Sequence, residues 1–516
     1  MENEQNGSKP SVLSTRFEQI ARENPDSTIK DVWDRTITFA QLYSEAIELA
    51  GKLKACLGAD KRHVCIESQK LPENLVIVVA CWILNWSYTF FDNKQPKERI
   101  NHIISSSNSS LIAITENKPP NLSFCLLEMA DTAHLNYSFY FTDKTSYPFH
   151  DKTSYIMFTS GSTGVPKGVP ILDYQVVNLT DWLIHDFKIK NTDVLTGLNP
   201  WFFDNSVFDI HMSLLSGANL VICDTDDSSR GFSWIEALAL KEPTVWFSVP
   251  SLLILVQSLG SFKENRLRSL RLIIFGGEAY PKNLLNELMV DQGTGTDYVS
   301  VYGPTETTCI CSTANVTQKE LESGAQYISL GNFPSFFVLG LHNTYLLSSG
   351  ELAGELMLGG VNVAAGYAQV ENNFGKFLNL PDMNGDWSNY YLTGDLVYFN
   401  EALKSYCFLG RKDNQIKRLG IRIELEEIES RLEKASGTVV IADYDSGRIL
   451  DLCILFVKSE SVNEDFIEKI CKDFLPPYML PRRVIGANEL PLNPNGKKDR
   501  RAAKQKVKLL IGHSIG

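Results

Sequence analysis

Short apolar runs recur along much of the chain, among them Tyr155–Phe158, Leu195–Leu198, Leu220–Cys223, Thr244–Ser248 and Leu272–Phe275, and amphipathic or mixed segments separate them. Runs of this length between helix-like segments predict strands joined by crossover helices, and therefore largely parallel sheets. The longest apolar stretch, Leu75 to Leu84, is well short of the roughly 20 residues that cross a bilayer and predicts a buried helix. From Gly354 to Leu396 the pattern changes to short runs with many turn residues, including Glu355–Leu358 and Tyr390–Leu392, as expected of a small β-rich subdomain. After Arg411, Leu425, Ile428 and Leu432 share one helical face with acids elsewhere, and Leu452–Val457 reads as a strand. No fixed-period repeat is visible.

The predicted fold class is α/β. A large N-terminal domain, 1–412, would contain mostly parallel sheets with helices and a β-rich subdomain at about 320–412; a small α+β domain of about 100 residues, 413–516, would follow.

Composition narrows the function classes. With 516 residues, 44% hydrophobic and 21% charged, the chain is too long for a single small core and too apolar for a disordered tether. The balance of 49 basic against 61 acidic side chains gives a formal charge of −12, which repels nucleic acid and anionic lipid on average. Neither nucleic-acid binding nor membrane insertion is expected. The ten cysteines contain no C-x-x-C pair and the eight histidines no metal spacing, so no zinc cage or disulfide framework is indicated and a reducing, cytoplasmic setting is expected. The polar start, Met1 to Pro10, has no signal-peptide core.

Two segments carry phosphate chemistry. Thr159-Ser-Gly-Ser-Thr-Gly-Val-Pro-Lys-Gly168 follows the run at Tyr155–Phe158, and its small residues can turn N–H groups and hydroxyls toward a polyphosphate while Lys167 adds charge. It is not the Walker loop, because Gly168 stands after Lys167 where a magnesium-binding hydroxyl would be required. In Val301-Tyr-Gly-Pro-Thr-Glu-Thr-Thr308, Tyr302 offers a face for a purine and Glu306 a hard oxygen ligand for magnesium.

These two segments, followed by Tyr391-Leu-Thr-Gly-Asp395, Gly410-Arg-Lys-Asp-Asn-Gln-Ile-Lys417 and Leu490-Pro-Leu-Asn-Pro-Asn-Gly-Lys-Lys-Asp-Arg500, together resemble the adenylate-forming enzymes: acyl-CoA synthetases, luciferases and peptide-synthetase adenylation domains. The resemblance covers nearly the whole chain. Thr180–Phe187, Phe203–Ile210 and Leu425–Glu429 look closest to the stand-alone D-alanine:carrier protein ligases.

The resemblance implies that a carboxylate attacks the α-phosphate of Mg2+-ATP, and that the phosphopantetheine thiol of a carrier protein then displaces AMP. ATP would be held by Thr159, Ser160, Gly161, Ser162, Thr163, Gly164 and Lys167, by Gly277 and Glu278, by Val301, Tyr302, Gly303 and Pro304, and by Asp395 and Arg411 at the ribose. Thr305 and Glu306 would meet the α-phosphate and magnesium, and Lys497 would carry adenylation, with the turn Pro494-Asn-Gly496 ahead of it. The hinge would lie at Asp413, making the small C-terminal domain, 413–516, mobile.

By the same resemblance, Asp204 pairs with the α-ammonium of an amino acid substrate. A helix-cap role is the plainer account of that residue, but Ser206 with Asp209 three positions on forms the better capping box. The side-chain pocket would be lined by Asn205, Phe208, Ser248, Ile274, Gly276, Val301, Cys309 and Ile310, apolar for the most part and uncharged. The D-alanine ligases typically carry Cys where Gly276 stands, and other residues at Asn205 and Val301, which leaves another small or apolar amino acid open. Phe90–Pro96 and Asp173-Tyr174 also depart from the family pattern. The chain stops at His513–Gly516 with no carrier segment behind it, so the carrier is expected as a separate polypeptide. Two rivals remain: an acyl-CoA synthetase-like ligase of another acid, which Asp204 argues against, and a non-catalytic adenylate-binding relative, which the joint presence of Thr159–Gly168, Glu306, Asp395, Arg411 and Lys497 argues against.

Overall fold

The computed structural model describes residues 11–115, 125–127, 137–142, 147–161, 164–225, 230–263, 266–381, 387–445, 451–493 and 498–512. They form two compact units: Met1–Asp92, Ile103–Thr159 and Gly168–Lys412 in the first, and Asn93–His102, Ser160–Lys167 and Asp413–Gly516 in the second. Residues 93–102 and 160–167, expected with the large domain, group instead with 413–516. The reason is local bonding: Arg99 ion-pairs with Glu427, and the Ser160 hydroxyl donates to the Arg422 carbonyl at 2.8 Å.

Among the described residues the first unit contains three sheets. In the eight-stranded sheet, Asp297–Tyr302, Leu272–Gly276, Val245–Ser248, Val194–Gly197, Asn219–Ile222 and Thr28–Asp31 are neighbours in that order and run parallel, with Ser312–Asn315 and Thr36–Thr38 antiparallel at its edges. Its central strands are nearly continuous apolar runs because both faces are covered. Phe247, Ile274, Val299 and Val301 face one core cluster, while Trp246, Ile273, Phe275 and Tyr298 face the other, the period-two alternation of a strand. The seven-stranded sheet, which includes His63–Glu67, Ser87–Phe91 and Thr153–Thr159 as parallel neighbours, shares the first of these clusters.

Helices fill the same cluster. Asn74–Leu84, in sequence NLVIVVACWIL, is apolar all round and almost wholly buried, as such a helix must be. Phe39–Leu57 starts at a capping box in which Thr38 and Gln41 satisfy each other's backbone N–H groups. Among the described residues no helix is long and apolar enough to cross a membrane.

The third sheet is antiparallel and has five strands: Phe337–Leu346, Leu352–Gly360, Trp387–Asn400, Phe377–Pro381 and Ser405–Arg411. It has its own core of Leu356, Leu358, Tyr391 and Val397. The second unit combines the hairpin Gln415–Arg418 and Ile421–Glu424, a three-stranded sheet of Val440–Asp445, Asp451–Val457 and Arg483–Ala487, and the helices Leu425–Ser436, Glu464–Phe474 and Arg500–Gly512.

Candidate active site

Three parallel strands of the eight-stranded sheet end side by side at Ser248, Gly276 and Tyr302. In open sheets of this kind, ligands bind beyond the carboxyl ends of the strands. The chain leaving the third end passes Gly303 and Pro304 and enters the 3₁₀ turn Thr305–Thr307; Thr308 and Cys309 then take left-handed conformations at φ 64° and 70°. Gly303 is needed there, because a Cβ would lie 2.1 Å from the Cys309 carbonyl oxygen.

Two groups of expected site residues meet within the first unit. Asp395 and Arg411 stand opposite each other on neighbouring antiparallel strands, and the Arg411 Nη1 to Asp395 Oδ1 distance is 2.5 Å. The Tyr302 hydroxyl donates to Asp395 Oδ2 at 2.6 Å, and burial together with the Asp395 charge holds that phenol well above its ordinary range. Each carboxylate oxygen has two lone-pair sites, so both retain capacity to accept from a sugar hydroxyl.

The second group joins the turn to the helix Asn205–Ser216. The Thr305 hydroxyl donates to Asp204 Oδ2, and the Tyr367 hydroxyl donates to Glu306 Oε1 at 2.6 Å with Glu306 fully buried. Burial first, and then the Asp204 charge, push the Cys309 thiol well up, so it is an inert neutral wall. Phe208, Ile274, Val301, Cys309 and Ile310 belong to one buried cluster, with Asn205 partly buried at the start of the helix. Gly276 lies opposite Val301, where a Cβ would meet the Val301 carbonyl oxygen at 2.5 Å and its Cγ2 at 2.6 Å. That contact explains why a glycine accompanies this valine.

One expectation needs correction. Ser206 and Asp209 do not form a capping box: Ser206 lies inside the helix and donates to the Phe203 carbonyl at 2.6 Å, while Asp209 accepts from Asn199. Asp204 does occupy the cap position, but in αR backbone and with no side-chain cap bond. Ser248 turns toward Trp246, whose indole N–H donates to its hydroxyl at 2.7 Å, because alternation puts those two on one face. Its neighbour Phe247, on the opposite face, packs on Phe208 with ring centroids 4.7 Å apart. Glu278, just past Gly277, accepts from the Ser251 N–H at 3.2 Å in the first turn of Pro250–Ser258.

Thr159 closes its strand in the first unit and is buried. In the second unit the Gly164 N–H donates to the Gly161 carbonyl at 2.9 Å, and Lys167 is buried. The Ser160 hydroxyl donates to the Arg422 carbonyl at 2.8 Å within this unit. Asp413 is the first residue of this unit's last segment, with Oδ1 3.4 Å from the Gln415 N–H. Lys498 is committed to Glu429 and Glu433 at 2.9 and 2.8 Å. Ser162, Thr163 and Lys497 lie outside the described residues.

Among the described residues no group of three or more His, Cys, Asp or Glu could cage a metal. Magnesium does not need one; it is commonly held by one or two carboxylates and the substrate's own phosphates, and Glu306 fits that donor set. Sequence reasoning missed Tyr367 and Phe247, single aromatics in unremarkable local sequence whose parts are set by contacts far along the chain.

The family model described as "AMP-binding enzyme" matches residues 17–368. This chain belongs to the AMP-binding enzymes. A relative of this AMP-binding enzyme, a D-alanine–D-alanyl carrier protein ligase of Bacillus cytotoxicus, is 30% identical over 514 residues, covering 96% of this chain and 99% of the relative. Its fold is shared by an NRPS protein containing adenylation and PCP domains (TM-score 0.78, 21% identity, covering 96% of this chain and 84% of that one). It is shared too by a Vibrio cholerae adenylation domain in complex with glycyl-adenosine-5'-phosphate (TM-score 0.76, 21% identity, 98% and 100% covered). The α/β class with a large first and a small last domain, expected from the sequence, is the fold of these structures.

Proposed function

We propose that this AMP-binding enzyme is an ATP-dependent amino acid:carrier protein ligase. In the first half-reaction a carboxylate oxygen of the amino acid bonds to the α-phosphorus of ATP and the bond to pyrophosphate breaks. In the second, the phosphopantetheine thiol of a separate carrier protein attacks the acyl carbon, its proton passes to solvent, and AMP leaves. One observation carries the reading: the Thr305 hydroxyl touches Asp204. The turn that bears Glu306, for magnesium and the α-phosphate, thereby adjoins the carboxylate assigned to the substrate ammonium. An α-amino acid needs that adjacency, since its ammonium and its attacking carboxylate are separated by one carbon.

Asp395 and Arg411 are assigned to the ribose, Tyr302 to the adenine, Lys497 to adenylation and Asp413 to the pivot between half-reactions. When bound, magnesium would neutralise phosphate charge during displacement. The carrier protein partner is supported by the name of the curated relatives and by the adenylation–PCP neighbour. For the amino acid, the Gly276–Val301 contact and the buried wall of Phe208, Phe247 and Cys309 support a small or apolar side chain, D-alanine among them. The test is an ATP/pyrophosphate exchange screen over both enantiomers of the amino acids and their des-amino analogues, followed by thioester formation on a phosphopantetheinylated carrier. Exchange with one small amino acid is expected. Exchange only with des-amino acids would instead establish an acyl-CoA synthetase-like ligase.

A further inference from the structure

Glu306 is held by a segment that nothing in its own neighbourhood of sequence announces. Besides the 2.6 Å bond from the Tyr367 hydroxyl to Oε1, the Ala364 N–H donates to the Glu306 carbonyl at 2.8 Å and the Thr308 hydroxyl donates to the Asn362 carbonyl at 2.9 Å. The segment is anchored in turn. Gln175 Nε2 donates to the Val361 and Val363 carbonyls, both at 3.0 Å, and Asn389 Nδ2 donates to the Ala364 carbonyl at 3.0 Å. The Tyr367 N–H donates to Asn373 Oδ1 at 2.7 Å, and the ring packs edge-on against Phe377 with centroids 5.4 Å apart. Residues 361–367 thus form a rigid cradle under the turn 305–308.

Fixing the backbone of Glu306 does not fix its carboxylate, because the last torsion of a glutamate side chain has broad, shallow preferences. A phenol donating to one oxygen does fix it, through a short charge-assisted bond. Packing on Phe377 would be served equally well by a phenylalanine, and the hydroxyl is the group that reaches Glu306. We propose that Tyr367 is a positioning residue for Glu306, setting the orientation in which that carboxylate meets magnesium-ATP. The inference rests on the reading of Glu306 as the magnesium ligand.

The experiment compares full-length wild type, Tyr367→Phe and Glu306→Gln, with circular dichroism as the check on folding. Magnesium is titrated in the exchange assay, and ATP binding is followed calorimetrically with and without magnesium. Partners of metal-binding carboxylates typically affect metal affinity by about 10- to 100-fold. Tyr367→Phe should therefore raise the half-saturating magnesium concentration about 10-fold and lower kcat, with the KM for the amino acid and magnesium-free ATP binding unchanged. Should that variant fail to fold, Tyr367→Met, flexible enough to refill the space without a hydroxyl, takes its place. If Glu306→Gln shifts the magnesium midpoint and the Tyr367 variant does not, the positioning role is overturned while the magnesium reading stands. If neither shifts it, both fall.

Discussion

Asp395 and Asp209 are both buried, at 5% and 0% exposure, and both accept several hydrogen bonds, yet their partners differ in kind. Asp395, in the antiparallel sheet, accepts from a guanidinium and a phenol. Asp209, in the helix packed on the parallel sheet, accepts from the Asn199 backbone N–H at 3.0 Å and its side-chain amide at 2.9 and 3.1 Å. The amides are neutral. Burial therefore wins at Asp209 and pushes its carboxyl up to about 7, against the Lys70 charge and the Asn199 bonds. At Asp395 a guanidinium and a phenol each take one carboxylate oxygen, and each oxygen has a second lone-pair site; at Asp209 the amides of one residue take both oxygens and clamp a loop. Here the loop ties the strand Val194–Gly197 to the helix that starts beside Asp204.

The comparison breaks most visibly at Asp395. Removing one partner of a buried ion pair leaves the other charge uncompensated and costs about 3–5 kcal/mol. Asp395→Ala should lower stability by about that much, measured by urea unfolding, and reduce exchange by on the order of 100-fold or more through the nucleotide KM. Exchange within a few-fold of wild type in the folded variant would remove the ribose role. Asp204→Ala sharpens the contrast with a carboxylate assigned to a ligand's charge. Activation of amino acids should fall by on the order of 100-fold or more relative to matched des-amino acids, the effect of removing one partner of a desolvated charge pair. Equal losses for both substrate classes would show that Asp204 does not meet an ammonium.

How much of this was legible in the sequence depends on what sets each contact. The strands of the parallel sheet and the helix at Leu425 were readable because burial on a fixed face imposes an apolar pattern. Asp395 and Arg411 were legible as motif residues, and their pairing is a matter of strand register alone. The partners of Asp209, Ser248 and Glu278 were not. Each is a polar side chain paired with another protein group, and the same residue types would serve equally well in a cap, a pocket or a ligand site. Thr305 with Asp204 and Tyr367 with Glu306 are separated by 101 and 61 positions, and only the packing of the turn on its cradle brings them together.

On the parallel-sheet side the constraint at the pocket is steric. Gly276→Ala puts a Cβ against a backbone oxygen as well as the Val301 side chain, and a carbonyl within a sheet cannot swing aside. Overpacking of this kind costs about 1–3 kcal/mol. The variant should lose stability in that range and narrow the set of accepted amino acids in the exchange screen. Adding Val301→Ala should recover part of the loss, since it removes the Cγ2 contact and leaves the carbonyl contact in place. Full recovery would mean that the backbone is not what demands the glycine.

The smallest expected effect tests the Asp209 half of the comparison through pH. In the unfolded chain this carboxyl titrates near its ordinary value of 3.8, and in the folded protein burial raises it to about 7. A raised value means that the folded state holds a proton which the unfolded state has released. The stabilising contribution is complete below about pH 4 and is lost as pH rises through about 7, at up to about 1.4 kcal/mol per pH unit. Wild type should therefore lose on the order of 2 kcal/mol from this group between pH 5 and 7, and Asp209→Asn, which has no proton to release, should not. The asparagine must also turn one donor toward the Asn199 amides, so the variant starts less stable at pH 5 and the two proteins converge as pH rises. Urea midpoints for both at pH 5, 6 and 7 decide the matter: parallel curves would mean that Asp209 stays ionised throughout, and that amides suffice to keep a buried carboxylate charged.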